Sequence, residues 1–325
     1  MQTLREGVQE PHERLIPRPG SAPTMSSACL INHYNYGDFI GEAVASVLAQ
    51  THLPTEIILV DDGSDADSLA KVRQAAALSD RIRLIEKENG GQLSCFEAGV
   101  AACNSDILFF LDADDAWAPT YVEKTLAIFE QKPTIDLVGT NPVEFFPDGR
   151  EEHEPGPSRC LGFSAVRCLE RKGVWMGAAT SCLAVRKRII DRIFPPPNPG
   201  AWRVCADEML VYGSSMAGAL MYFQGEPLVR YRVHDNNAFY GTKDTPERAF
   251  GRRLEGRRLI EHLRVRFSLP ERMPEMVLYE FKTIESPTPR EFKDCWRIVT
   301  RSSLRWSKKL DLCLRLRRHY RKNRA

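Results

Sequence analysis

The sequence predicts an α/β fold: a mixed, mainly parallel sheet flanked by helices, with a helical extension at the C-terminal end. Three observations carry this. Short apolar runs alternate with amphipathic ones from residue 28 to about 112. Acidic or amide residues stand just after three of those runs, and beyond residue 286 apolar and basic residues recur at helical spacing. Alternating buried strands and covering helices imply parallel strands joined by right-handed crossovers.

The elements follow in order. "ACLI", from Ala28, is a short buried strand, and "NYGDFIGEAVASVLAQT" then places Ile40, Ala43, Val44, Val47 and Leu48 on one helical face, with Asp38 as the expected N-cap. "EIILV" is a second strand, ending in the Gly-containing turn "DDGS". A polar helix is expected around 65–78, the strand "IRLI" next, a helix around 92–102, and the strand "DILFFL" last. Ligands of such sheets gather outside the carboxyl ends of the strands. Asn35, the pair Asp61 and Asp62, and the group Asp112, Asp114 and Asp115 all fall there.

The totals narrow the function classes. With 325 residues, 43% hydrophobic and 27% charged, the chain has the make-up of a globular enzyme rather than a disordered protein. A net charge of +2 gives no general reason for a nucleic-acid partner. Nine cysteines form no C-x-x-C pair and no zinc spacing, which predicts reduced thiols in a cytoplasmic setting, with Cys29, Cys95, Cys103 and Cys182 as core filler. Residues 1–25 mix charge and proline and are expected to be a disordered lead-in. No run of 18 apolar residues occurs, so membrane association is expected to be peripheral. The expected domains are a globular unit over 26–240 and a basic helical extension over 241–325.

Carboxylates spaced D-x-D-D, with no His or Cys beside them, favour a hard cation such as Mg²⁺ or Mn²⁺, which completes its shell with phosphate oxygens and water. The glycine loops G-x-x-x-x-G-K-[ST] and G-x-G-x-x-G are both missing from the sequence, against a nucleoside triphosphatase or a dinucleotide dehydrogenase. The implied ligand is a metal-held diphosphate.

"LINHYNYGDFIGEAVASVLAQT", "EIILVDDGSDADS", "NGGQLSCFEAGVAACNSDILFFLDADD", "ADEML" and "YRVHDNN" together resemble the family 2 glycosyltransferases, over roughly residues 26–237. The resemblance implies a GT-A-type, Rossmann-like catalytic domain over 26–240, with a nucleotide-binding half (26–118) and an acceptor-side half (119–240), and an inverting, metal-dependent transfer of a sugar from a nucleotide-sugar donor, UDP-linked by family habit, to a sugar, lipid-linked or protein acceptor. It implies that Asp62 accepts the ring N–H of the base, with Asp61 stabilising the turn; that Asn35, Asn89 and Gln92 border the nucleotide, in the last two cases from a loop that includes Gly90 and Gly91; that Asp112 binds the ribose; and that Asp114, joined by His234, ligates the metal, with Asp115 behind it. On the acceptor side it points to Thr180 and Ser181, either as donors to sugar hydroxyls or as plain turn residues, and to Asp207 as general base in preference to Glu208. His33 departs from the neutral residue common at its place in the family. Arg230 and Arg232 lie near phosphate or alternate outward along an edge strand.

"SPTPREF" reads as a helix start with Thr288 as N-cap, Pro289 first and Glu291 closing a capping box. Phe292, Trp296, Val299, Trp306, Leu310 and Cys313 are expected to form one apolar stripe, amid many basic residues. The stripe either docks on the catalytic unit or lies on an anionic membrane surface; no recognition module accompanies it for nucleic acid. Two other readings stand beside a transferase. A glycoside hydrolase would place its acids across a bond rather than in a metal cluster, and a scaffold would bind the nucleotide sugar without turnover.

Overall fold

The structure, a computed structural model, describes residues 25–154, 156–171, 178–235, 237 and 245–324. The expected lead-in, save Met25, lies outside the described residues.

The four apolar runs form strands β1 (Ser27–His33), β2 (Glu56–Asp61), β3 (Ile82–Glu86) and β4 (Ile107–Asp112), joined by helices α1 (Gly37–Leu48), α2 (Ala66–Ala76) and α3 (Gln92–Ala101). Helix α1 begins one residue before the expected cap. The Gly37 N–H is satisfied by Ser68 Oγ of α2 at 2.9 Å, so no side-chain cap is needed there, and Asp38 sits in the first turn paired with Lys71. Asp65 caps α2 by accepting the Ser68 N–H at 2.8 Å.

Beyond β4 come β5 (Ala116–Trp117), α4 (Tyr121–Gln131), β6 (Leu137–Phe145), β7 (Glu151–His153), β8 (Arg159–Gly162), α5 (Ala165–Arg171), β9 (Leu183–Arg186), α6 (Lys187–Ile193), α7 (Asp207–Met216) and the bulged β10 (Met221–Arg232). The sheet runs β3-β2-β1-β4-β9-β6-β10-β5. β1 to β4 pair in parallel, β9 is antiparallel to β4 and β6, and β10 is parallel to β6. Alternation along the central strands divides the core. Leu30 and Phe110 pack on one face of the sheet with Phe96 of α3; Ile31 and Phe109 pack on the other with Ile40 and Val44 of α1.

The C-terminal region adds α8 (Pro246–Arg266), α9 (Val277–Phe281), α10 (Pro289–Thr300) and α11 (Trp306–Asn323). Their Leu259, Leu263, Phe281, Ile298, Leu312 and Leu316 join the same core as Phe96 and Phe110, so this region docks on the sheet unit. The Thr288 capping box forms as expected, with the Thr288 N–H reaching Glu291 Oε2 at 2.8 Å. The single stripe does not form. The segment between α10 and α11 breaks the helical phase; Cys295, Val299 and Cys313 turn inward, whereas Trp306 and Leu310 face solvent.

Candidate active site

The strand order reverses between β1 and β4, because β2 and β3 lie to one side of β1 and β4 to the other. Such a switch point opens a crevice at the carboxyl ends of the two strands. Asn32 closes the crevice floor, donating from Nδ2 to Asp112 Oδ1 at 2.9 Å. Above it is a cleft of about 950 Å³ lined by Asp62, Asn89, Gln92, Asp112, Asp114, Thr180, Asp207 and Glu208, which are spread over 147 positions of sequence but meet in one place.

Asp62 is held by the loop that precedes α3. Its Oδ1 accepts from Lys87 Nζ at 2.6 Å and the Gly90 N–H at 2.9 Å, and its Oδ2 from the Gly91 N–H at 2.7 Å. Oδ2 thus keeps a lone pair for a further donor. Gly91 has φ +89°, and a Cβ there would stand 2.5 Å from the Arg203 Cα, so only glycine allows the two chains to meet. Asn89 donates to the Asp62 carbonyl and accepts from Arg203. Asp61 does stabilise the turn: His33 Nδ1 lies 2.8 Å from its Oδ1, and Ser64 Oγ donates to the same oxygen at 2.6 Å. Burial pushes the Asp61 carboxyl up, but these hydrogen bonds prevail and hold it below the usual range. His33, the departure noted in the sequence, is therefore a buried partner of Asp61.

Gln92 is the junction of the site. Its Nε2 donates to Asp112 Oδ1 at 2.8 Å and Thr180 Oγ1 at 3.3 Å, while its Oε1 accepts the Ala206 N–H, one residue before α7. Burial, and then the charge of Asp114, push the Asp112 carboxyl up to about 7. Asp114 Oδ2 faces His234 Nε2 at 3.1 Å, and the imidazole is braced against Tyr36 and Phe39. At the mouth of α7, burial raises Asp207 to about 8, with Asp112 and Glu208 adding repulsion. Burial raises Glu208 to about 7 against the pull of Arg252.

Two expected site residues take other places. Asn35, at φ +56°, is exposed and outside the cleft lining; its Oδ1 accepts the Asp65 N–H at 2.9 Å and so fixes the start of α2. Ser181 is buried, accepting the Asp112 N–H and donating to Asp115 Oδ2 at 2.5 Å, so its hydroxyl is used inside the fold rather than offered to the cleft. Asp115 also accepts the Arg232 N–H, which ties β10 to the acidic turn; burial and the neighbouring carboxylates hold its carboxyl well above the ordinary range. Arg232 donates to the Asp114 carbonyl and pairs with Glu42, and Arg230 pairs with Glu151.

The cleft also holds residues that sequence reading missed: Asn32, Tyr212, Tyr231, Arg203 and, from α8, Arg252, Arg253 and Arg257. A signal for α8 was present, since Thr245, Pro246 and Glu247 repeat the helix-start chemistry of Thr288 and Pro289. Nothing in sequence spacing says that this helix closes over the cleft.

A mainly parallel central sheet flanked by helices, with acidic side chains gathered at its switch point, is the GT-A-like glycosyltransferase architecture. The chain belongs to glycosyl transferase family 2, whose model matches residues 29–194. It is 34% identical over 219 residues to an uncharacterised glycosyltransferase of Nostoc sp., covering 66% of each chain. To a hyaluronan synthase of Pasteurella multocida it is 31% identical over 150 residues, 45% of this chain and 15% of the synthase. The matched region thus spans just under two thirds of the first relative and a small part of the second. In fold it resembles TarS 1–349 of S. aureus solved with UDP-GlcNAc, with a TM-score of 0.55 at 11% identity over 91% of this chain and 82% of that one.

The family implies a divalent ion. Among the described residues no three His, Cys, Asp or Glu side chains cluster as a metal site. Asp114 Oδ2 and His234 Nε2, 3.1 Å apart, are a carboxylate oxygen and an imidazole nitrogen of the kinds that would hold such an ion. Two protein ligands suit an ion whose other positions go to phosphate oxygens and water.

Proposed function

We propose that this chain transfers a glycosyl unit from a nucleoside-diphosphate sugar, UDP-linked, to an acceptor hydroxyl with inversion, in the assembly of a polysaccharide or glycoconjugate. The single observation that carries this reading is that Asp62, Asp112, Asp114 and Asp207 line one cleft at the switch point of the sheet. Likeness to the Pasteurella synthase supports the polysaccharide setting, and the UDP-GlcNAc in the TarS structure supports the donor class.

The residues divide the work. Asp62 Oδ2 takes the base N–H, and Asp112, held by Asn32 and Gln92, takes the ribose hydroxyls. A divalent ion held by Asp114 and His234 would neutralise charge on the departing diphosphate. Arg203, Arg252, Arg253 and Arg257 add positive charge along the cleft wall. Asp207 removes the proton of the acceptor hydroxyl, whose oxygen then attacks the anomeric carbon as the bond to the diphosphate oxygen breaks on the opposite face. Glu208 turns toward α8, where its Oε2 would lie 3.3 Å from a Cβ on Gly256, which favours Asp207 as the base.

The test compares wild type, Asp114→Ala and Asp207→Asn for Mn²⁺-dependent nucleotide binding and for release of nucleoside diphosphate from a panel of nucleotide sugars. Asp114→Ala is expected to lose metal-dependent binding, and Asp207→Asn to bind normally without transferring. Unchanged turnover in both overturns the assignment.

A further inference from the structure

We propose that the outward face of α11 docks on an anionic lipid bilayer. Trp306, Leu310 and Leu314 are 78%, 52% and 59% exposed. Spaced by four, they draw a line along the first half of α11 that starts beside the buried Cys313 and winds to the side away from the buried Leu312 and Leu316. Arg317, Arg318 and Arg321 carry the line on through the second half, all exposed. Within α11 seven Lys or Arg residues face a single acid, Asp311, which pairs with Arg315. Exposed Arg301 and Arg305 extend the positive charge just before the helix.

The inner face of α11 already anchors it to the core, so the fold does not need this outer face. Three large apolar side chains in a row on a strongly basic helix suit a bilayer interface, where the apolar groups enter the boundary between headgroups and acyl chains while lysine and arginine meet anionic headgroups. A nucleic acid would satisfy the charge but leave Trp306, Leu310 and Leu314 in water. A second copy of this chain would cover the apolar line but bring two basic surfaces together. Among the described residues no helix is long and apolar enough to cross a membrane, so the attachment is to the surface. The inference stands apart from the transfer reaction, and its test needs no substrate.

Co-sedimentation of the full chain is measured with vesicles of neutral phosphatidylcholine and with the same lipid carrying about a third phosphatidylglycerol. Binding is expected to the anionic vesicles alone and to weaken as salt shortens the Debye length from about 10 Å toward 3 Å. Trp306→Ser with Leu314→Ser is expected to weaken partitioning roughly tenfold, and Arg317→Gln, Arg318→Gln and Arg321→Gln together on the order of 100-fold, with thermal midpoints unchanged in both. Equal recovery in the supernatant with either vesicle overturns the proposal. So does a wild-type dimer, seen by light scattering, that Trp306→Ser dissolves without any vesicle binding, or salt-sensitive binding to duplex DNA in its place.

Discussion

Gln92 joins Asp112 to the helix that carries Asp207: one end of its amide donates to Asp112 Oδ1 at 2.8 Å, and the other accepts the Ala206 N–H at 2.9 Å. An amide can donate to a carboxylate and accept from a helix start through one planar group. It therefore sets the distance between the proposed ribose-binding and proton-accepting carboxylates. Gln92→Leu is expected to lower kcat/KM roughly 10- to 100-fold, since small misplacements of reacting groups cost that much. Gln92→Glu is expected to do worse than Leu at neutral pH, because a second carboxylate would face Asp112 within hydrogen-bond distance. Steady-state rates of diphosphate release check both.

Asp207, as the proposed base, sets the sign expected for the pH dependence. Burial, with Asp112 and Glu208 nearby, holds its carboxyl at about 8, and a general base acts only when deprotonated. The transfer rate is expected to rise with pH through 7 and level off above about 8, falling about tenfold per unit on the acid side. Stability runs the other way. A folded pKa above the unfolded value of 3.8 means the native state holds a proton that the unfolded chain has released, so this contribution is full below 3.8 and lost as pH rises toward 8. Asp207→Asn should thus abolish transfer yet raise the thermal midpoint at pH 8 and leave it near wild type at pH 4. A midpoint lowered equally at both pH values would contradict the burial of a costly charge.

The first four strands and their helices could be read from the sequence because local pattern decides them: apolar runs such as "DILFFL" are buried on both faces, and Asp65 and Thr288 cap their helices through contacts three residues away. Asp62, Asp112 and Asp114 were legible for a related reason, since they stand at strand ends that a parallel topology must bring to one rim, whereas Asp207 and Glu208, at the start of α7, came only from the resemblance carried by "ADEML". What stayed hidden depends on partners distant in sequence. Ser181 reads either as a sugar-binding hydroxyl or as a turn residue; its hydroxyl donates to Asp115, 66 positions away. Asn35 reads as a nucleotide contact; its side chain lies outside the cleft lining and accepts the Asp65 N–H, 30 positions away. The arginines of α8 were visible as charge, but their place over the cleft follows from how α8 packs on α7, which no period in the sequence encodes.

Gly91 tests whether the loop and the Trp202–Arg203 segment must touch. Besides its positive φ, the residue is pinned by the Gly91 N–H to Asp62 Oδ2 bond, and its neighbours Gln92 and Leu93 donate to the carbonyls of Arg203 and Trp202 at 3.1 Å. Gly91→Ala drives a methyl into the Arg203 backbone and adds left-handed strain, together roughly 2–4 kcal/mol. The urea midpoint should fall accordingly. Nucleotide binding should weaken as well, because the same shift moves Asp62.

Glu280 and Arg167 form a buried ion pair outside the cleft, and they show what fastens the C-terminal helices to the sheet unit. The Arg167 Nε donates to Glu280 Oε1 at 2.9 Å, and the Val166 and Arg167 N–H groups at the start of α5 donate to the same carboxylate at 2.5 and 3.1 Å. Glu280 is 5% exposed and Arg167 6%. Burial outweighs these donors and keeps the Glu280 carboxyl above its ordinary range, a sign of how costly the charge is away from water. Removing the Glu280 carboxylate leaves Arg167 charged and buried, with Glu291 Oε1, 4.0 Å from its Nη1, as a more distant counter-charge, so Glu280→Leu is expected to cost roughly 3–5 kcal/mol. Replacing both, with Arg167→Met and Glu280→Leu, removes the stranded charge and should recover most of that loss, though the N–H groups of Val166 and Arg167 then lose their acceptor and the recovery stays incomplete. A double-mutant cycle on urea unfolding measures the coupling. A double variant no more stable than Glu280→Leu alone would show that the carboxylate matters chiefly as a cap for α5 rather than as the arginine's counter-charge.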